Sequence, residues 1–191
     1  MLADFEIRKA QHDGYINIAP CWNEEQLQPV SYDLLLSEHV RFSPHPERVG
    51  LIDPKGLSDR SDMIQPNRGE SYMDPGLIPA TGYTLKAGEF LLACTQEEIG
   101  LSPHIAARVE GKSSLGRLGV QVHITAGFID PGFVGQITLE IANVAPWAVV
   151  LYPGMPIAQI VFEQVSMPEK PYNVKGHYCG QHGPTEARYS L

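Results

Sequence analysis

The chain has 191 residues, a length that predicts one domain spanning residues 1–191. Hydrophobic residues make up 43% and charged residues 19%, which excludes a disordered chain or a coiled coil. The 22 acidic residues outnumber the 14 basic ones, and the formal net charge of −8 argues against binding to nucleic-acid polymers.

One helix is predicted at the start of the chain, over Asp4–His12, followed by a short helical turn near residues 23–26. Further along, glycine and proline recur too often for a long helix, because proline lacks the backbone donor and glycine costs about 1 kcal/mol in a helix. Short apolar runs between turn signals predict strands instead. These runs cover residues 32–36, 83–85, 89–94, 105–109, 120–124, 136–142, 148–151 and 157–162. The fold class is therefore mainly β, a barrel or sandwich.

Two segments show weak periodicity. Residues 49–79 predict a long loop that is either functional or poorly ordered, and a tail such as residues 168–191 is usually frayed. No apolar run reaches the length of a membrane span, residues 1–6 lack the character of a signal peptide, and the three cysteines form no disulfide framework. We therefore expect a cytoplasmic protein without a membrane partner.

The segment richest in chemistry is Glu-Gly-Lys-Ser-Ser-Leu-Gly-Arg at residues 110–117, directly after a predicted strand. Its glycines let backbone N–H groups approach an anion, its hydroxyls add donors, and Arg117 can bind phosphate through two hydrogen bonds. The alternative is an exposed turn with solvated basic side chains. No long helix follows the segment, so a Walker-type site is not expected.

Two carboxylates follow, Asp130 and Glu140. Residues 136–141 alternate between aliphatic and polar side chains, so Glu140 points away from the aliphatic core or toward a cavity on the opposite side. By local pattern alone, Glu140 is a surface glutamate and Asp130 is a turn residue.

The order of the motifs resembles the dUTPase and dCTP deaminase superfamily. It runs Ser-Ser-x-x-Arg at 113–117, Ile-Asp-x-Gly-Phe at 129–133, Thr-Leu-Glu at 138–140 and Ile-Ala-Gln at 157–159. Gln-Pro-Val-Ser-Tyr-Asp-Leu at 28–34 is similar to the early motif of that group, and Gly-Gln-His-Gly-Pro-Thr at 180–185 resembles the dCTP deaminase branch.

The resemblance implies a distorted β-barrel or jelly-roll-like subunit of the dUTPase type, assembled as a homotrimer with active sites between subunits. The implied substrate is dCTP or dUTP with Mg²⁺ bound to its triphosphate, no metal being held by protein side chains. The tail, residues 168–191, would close over the active site.

Family roles carry over to three groups of substrate-binding residues. The phosphate-binding segment contains Lys112, Ser113, Ser114, Leu115, Gly116 and Arg117. The sugar and base would contact Ala126, Asp130, Phe133, Thr138, Leu139 and Glu140. Gln159 would approach the nucleotide, and Tyr172 and Gln181 would close over the triphosphate.

Four of these residues are implied to be catalytic. Glu140 would activate the water, deliver a proton to the ring and assist release of ammonia. Ser113 and the carbonyl of Ala126 would orient the water and the amino group, while Arg117 stabilises developing charge. Asp130 would help activate a second water, which attacks the α-phosphate.

The pair Gly127-Phe128 resembles the bifunctional, dUMP-forming dCTP deaminases, in which a small residue leaves room for that second water. The alternatives are an enzyme that releases dUTP, a dUTPase without deaminase activity, and a non-catalytic nucleotide-binding module. One departure from the bifunctional relatives is His177 in place of a tail lysine, with Lys175 two residues earlier.

A zinc site is not expected. The one His-x-Glu sequence lies at residues 45–47, and the chain has no Cys-x-x-Cys. Cys179 and His182 are spaced like a ligand pair, but two ligands on a tail are weak grounds for zinc.

Overall fold

The computed structural model describes residues 1–20, 22–44, 52 and 71–188. The predicted first helix is confirmed as α1, Asp4–His12. Asp13 ends it, and Gly14 then takes a left-handed backbone with φ 77°. The predicted helical turn is a 3₁₀ turn, Glu24–Gln26, capped by Asn23, whose side chain accepts the Glu25 N–H.

Within the described residues there are twelve strands and two further one-turn helices. The strands are β1 Ile16–Ala19, β2 Leu27–Gln28, β3 Ser31–Phe42, β4 Asp74–Leu77, β5 Tyr83–Leu85, β6 Phe90–Leu101, β7 Ile105–Gly111, β8 Val120–Gln121, β9 Phe128–Ile129, β10 Val134–Asn143, β11 Val149–Leu151 and β12 Pro156–Gln164. The helices are α2 Ser113–Gly116 and α3 Tyr172–Lys175. The mainly β fold class with a short N-terminal helix is confirmed.

Ten of these strands form one antiparallel sheet in the order β8-β10-β6-β3-β12-β7-β9, with β1 on β6 and with β2 and β4 on β3. β5 and β11 pair separately. The register shifts between Leu36 and Val40 in β3 and between Gln136 and Thr138 in β10. Such irregularities bend the strands that contain them.

The strand predictions were correct in position but not always in length. β3 and β6 run well beyond the predicted segments, whereas the strand predicted at 120–124 ends at Gln121. Four short strands were missed: β1, β2, β4 and β9. β4 lies within 49–79, where a loop was predicted. Its Pro75 is tolerated because, among the residues that the structure describes, β4 pairs on one side only, with β3. Residues 49–51 and 53–70 of that segment lie outside the described residues.

The core is the concave face of the curled sheet, where side chains such as Tyr32, Leu34 and Phe162 are fully buried. Leu139 and Ile141 of β10 belong to this core, while Thr138 and Glu140, on its other face, are half-buried. The predicted alternation is therefore observed, and Glu140 faces a cavity rather than open solvent.

Candidate active site

A cavity of about 500 Å³ opens between β10, residues 123–130 and the tail. This volume suits a ligand the size of a nucleotide. Ten of the residues predicted from the sequence line it: Ala126, Gly127, Phe128, Asp130, Phe133, Thr138, Leu139, Glu140, Tyr172 and Gln181.

Glu140 is held by a backbone donor. Its Oε2 accepts the N–H of Ile124 at 2.8 Å, and among the described residues its Oε1 has no hydrogen-bond partner. A carboxylate fixed through one oxygen keeps the other oxygen for a ligand or a water molecule. The cavity therefore contains a carboxylate whose orientation is set by the backbone.

His123 lines the same cavity and was missed by the sequence analysis. Its Nδ1 is buried and has no partner within the described residues. The neighbouring Ile124 is the residue that holds Glu140. No motif marked His123, because its position depends on how residues 122–127 turn back toward β7.

Glycine is required at position 127 because the backbone there lies against the backbone of Val109 in β7. Its carbonyl accepts the Val109 N–H at 2.7 Å, and a Cβ on Gly127 would lie 2.5 Å from the Val109 carbonyl oxygen. The His123 ring would lie 3.4 Å from that Cβ. The space beside Gly127 is thus filled by β7 and His123 within this chain.

Asp130, Phe133 and Tyr172 form one side of the cavity. Phe133 is buried and packs against Tyr172, with ring centroids 5.9 Å apart, whereas Asp130 is exposed at the rim. The Tyr172 hydroxyl accepts the Tyr178 N–H at 3.2 Å. Burial raises the pKa of Tyr172, so its phenol stays protonated at neutral pH and keeps its own O–H to donate.

The tail lies along β10 at the rim of the cavity. Gln181 pairs with Gln136: the Gln136 N–H donates to the Gln181 carbonyl at 3.0 Å, and the Gln181 side-chain amide donates to the Gln136 carbonyl at 2.7 Å. The Gln136 side chain accepts the Gly183 N–H at 2.7 Å, and the Thr138 hydroxyl accepts the Thr185 N–H at 3.1 Å. The strand that carries Glu140 therefore also holds the tail in place.

The far end of the tail is held by β3 and by the segment that precedes β4. The Arg41 Nε donates to the Pro184 carbonyl at 2.8 Å, and its Nη1 donates to the Ser71 hydroxyl at 2.9 Å. The Glu186 carboxylate accepts the Met73 N–H at 2.8 Å and lies 3.9 Å from Arg41 Nη1. The tail is thus anchored on both sides of the cavity rim rather than frayed.

The remaining predicted residues do not line this cavity. Ser113, Ser114, Gly116 and Arg117 are exposed on and after α2, while Leu115 is buried. The Lys112 ammonium lies 2.7 Å from Asp33 Oδ1, and Gln159 is paired between Asp33 of β3 and Glu110 of β7. A single chain therefore presents two separate groups of predicted site residues.

The described residues contain no group of three or more His, Cys, Asp or Glu side chains placed to hold a metal ion. His182 Nδ1 lies 3.5 Å from Glu98 Oε2, and residues 45–47 lie outside the described ranges. His177 is exposed, and the Lys175 side chain lies outside the described part of the structure. No helix in the described part of the chain is long and apolar enough to cross a membrane.

Comparison with known proteins gives consistent matches. A family profile described as dCTP deaminase-like matches residues 1–165. A Bifidobacterium longum protein named dCTP deaminase, dUMP-forming, is 45% identical over 98% of this chain and 93% of its own length. A Methanosphaera stadtmanae protein of the same name is 43% identical over 96% of this chain and 91% of its own length.

The crystal structure of 2′-deoxycytidine 5′-triphosphate deaminase from Agrobacterium tumefaciens superposes with a TM-score of 0.64 at 21% identity. The match covers 86% of this chain, which spans 47% of the length of that protein. At this identity the likeness concerns the fold.

Proposed function

Because the chain belongs to the dCTP deaminase-like family, we propose that it converts dCTP and two water molecules to dUMP, ammonia and pyrophosphate in one site. The observation that carries the proposal is Glu140, a half-buried carboxylate in a nucleotide-sized cavity, held by the Ile124 N–H at 2.8 Å. The family resemblance seen in the motifs is confirmed by the matches to dUMP-forming relatives.

Deamination requires three proton movements that one carboxylate can perform in turn. Glu140 takes a proton from the attacking water, passes it to the ring nitrogen and assists the departure of ammonia from C4. Thr138 and Leu139 place the base beside this acid, and the Ala126 carbonyl accepts a hydrogen bond from the amino group. Phe133 packs against the sugar, whose hydroxyl binds Asp130.

The second group of residues, Lys112 to Arg117 with Gln159, binds the triphosphate from another copy of the chain. Ser113 and Arg117 are exposed in the single chain, which leaves them available to a neighbouring subunit. Ser113 then orients the water at the pyrimidine, and Arg117 stabilises the developing charge. The assembly proposed is a homotrimer with composite active sites, working in the cytoplasm.

The second reaction splits the bond between the α- and β-phosphates. Asp130 activates a water for attack on the α-phosphate, and pyrophosphate leaves. The substrate is the magnesium complex of the nucleotide, and the ion withdraws charge from the phosphates. Gly127 and Phe128 fix the loop on which Asp130 lies, and the tail with Tyr172 and Gln181 closes over the triphosphate.

The test is a product analysis with dCTP and Mg²⁺. We expect dUMP, ammonia and pyrophosphate without free dUTP. Accumulation of dUTP would support an enzyme that only deaminates, and hydrolysis of dUTP without ammonia from dCTP would support a dUTPase. Absence of any turnover would leave the non-catalytic nucleotide-binding module.

The variant Glu140→Gln separates chemistry from binding. We expect ammonia release to fall about 100- to 10,000-fold, the usual contribution of general acid–base catalysis. The variant should still be stabilised against thermal unfolding by dCTP, since the phosphate-binding residues are unchanged. Undiminished turnover would remove Glu140 from the mechanism.

A further inference from the structure

We propose that Asp33 is a positioning residue that holds the Lys112 ammonium ready for the triphosphate. The inference deepens the proposed function and rests on it. The two residues are 79 positions apart in the chain, and Asp33 Oδ1 lies 2.7 Å from Lys112 Nζ.

Asp33 is fixed more firmly than a surface carboxylate. It lies on the central strand β3 with 8% of its surface exposed, and its Oδ2 lies 3.4 Å from the Gln28 amide nitrogen. The Lys112 side chain is 23% exposed. The lysine therefore reaches from the end of β7 to an anchor that the sheet itself holds.

The position of this pair in the sheet links it to the other proposed phosphate ligands. Gln159 of β12 pairs with Asp33 on one side and with Glu110 on the other. Paired residues on neighbouring strands project to the same face, so Asp33 and Gln159 stand side by side next to the segment that begins at Lys112. Ser113 follows directly and is exposed.

The chemistry of lysine explains why holding Lys112 in place would strengthen triphosphate binding. An ammonium has three donors, so a bond to Asp33 leaves two for phosphate oxygens. Lysine has a flexible four-carbon stem, and ordering that stem weakens binding unless it is ordered beforehand. Asp33 therefore strengthens triphosphate binding by restricting Lys112 before the ligand arrives.

The test measures KM and kcat for dCTP in Asp33→Asn, which removes the charge and keeps the shape. We expect KM to rise about 5- to 30-fold, as if most of the rotamer freedom of a lysine were restored, with kcat within about twofold. The matched control is Glu163→Gln, which removes a carboxylate from the same sheet face, where it pairs with Arg108 at 3.4 Å. Its KM should equal that of the unsubstituted protein.

A double-variant cycle with Lys112→Met tests whether Asp33 acts through Lys112. The double variant should bind no more weakly than Lys112→Met alone, because the lysine to be positioned is gone. An unchanged or lowered KM in Asp33→Asn, or effects that multiply in the double variant, would overturn the inference. Asp33→Glu, which displaces the carboxylate by one methylene, should also raise KM and serves if the asparagine variant does not fold.

Binding of inorganic tripolyphosphate with Mg²⁺, followed by calorimetry, gives a readout that does not depend on turnover. Affinity should fall in Asp33→Asn by the same factor as KM rises. If the unsubstituted protein releases no ammonia from dCTP, the proposed function fails, and this measurement still decides the role of Asp33.

Discussion

The substitution Gly127→Ala tests how closely the loop bearing Phe128 and Asp130 must approach β7. The new Cβ would lie 2.5 Å from the Val109 carbonyl oxygen, and real Cβ atoms essentially never show contacts under 3.0 Å. The loop must therefore move away by about 0.5 Å or more, the difference between those two distances. Gly127 has no left-handed backbone, so the effect of alanine comes from space alone.

The magnitude follows from packing. Forcing a methyl group into such a contact costs about 1–3 kcal/mol, and it stretches the hydrogen bond from Val109 N to the Gly127 carbonyl, now 2.7 Å. For a protein of this size, the melting temperature should fall by about 2 to 12 °C. A 1 Å misplacement of a catalytic group can cost about 100-fold in rate, so for a loop displacement of about 0.5 Å we expect kcat to fall about 10-fold.

The assay follows ammonia, dUTP and dUMP from dCTP, alongside thermal unfolding. The dUTP fraction should rise, because the displaced loop carries Asp130. The control is Gly100→Ala, whose Cβ would lie 3.3 Å from Asn17 Cβ, away from the cavity. If Gly127→Ala matched the unsubstituted protein in rate, product ratio and melting temperature, the requirement for close approach would be refuted.

Two further substitutions test the tail and the core. Arg41→Met removes the hydrogen bonds to Pro184 and Ser71 that hold the tail, so trypsin should cleave the tail faster and KM for dCTP should rise. The control is Arg8→Met, and equal rates of tail cleavage in the two variants would contradict a role of Arg41 in holding the tail. Burial raises the pKa of Glu97 above its ordinary 4.5, so the folded chain binds the Glu97 carboxyl proton more tightly than the unfolded chain does. The contribution of Glu97 to stability therefore falls as pH rises through its folded pKa. Urea unfolding should therefore show the unsubstituted protein losing stability relative to Glu97→Gln as pH rises from 4.5, and parallel curves would contradict the assignment.

The sequence predicts best where a local pattern determines the structure. Asp13-Gly14 ends the first helix at the expected residue, and the period of two along β10 places Glu140 on the face opposite the core. Both outcomes depend on neighbours a few residues apart. Pro75 hid β4, because proline argues against a strand unless the strand lies at an edge.

Contacts between distant parts of the chain could not be predicted. The pairing of Asp33 with Lys112 and the position of His123 depend on how β3, β7 and the following loops are placed by the whole sheet. The motif at residues 110–117 was visible in the sequence, and the fold shows that within one chain it does not line the cavity containing Glu140.

The alternation of side chains along β10 places the residues that hold the tail on the same face as Glu140. Gln136, Thr138 and Glu140 lie on one face of the strand. The side chains of the first two accept hydrogen bonds from the N–H groups of residues 183 and 185. Inserting a single amino acid between Thr138 and Glu140 would turn either the two tail-binding side chains or the Glu140 carboxylate toward the aliphatic core. Length changes in this stretch should accordingly survive only in multiples of two, a parity constraint that a library of insertions could read out directly.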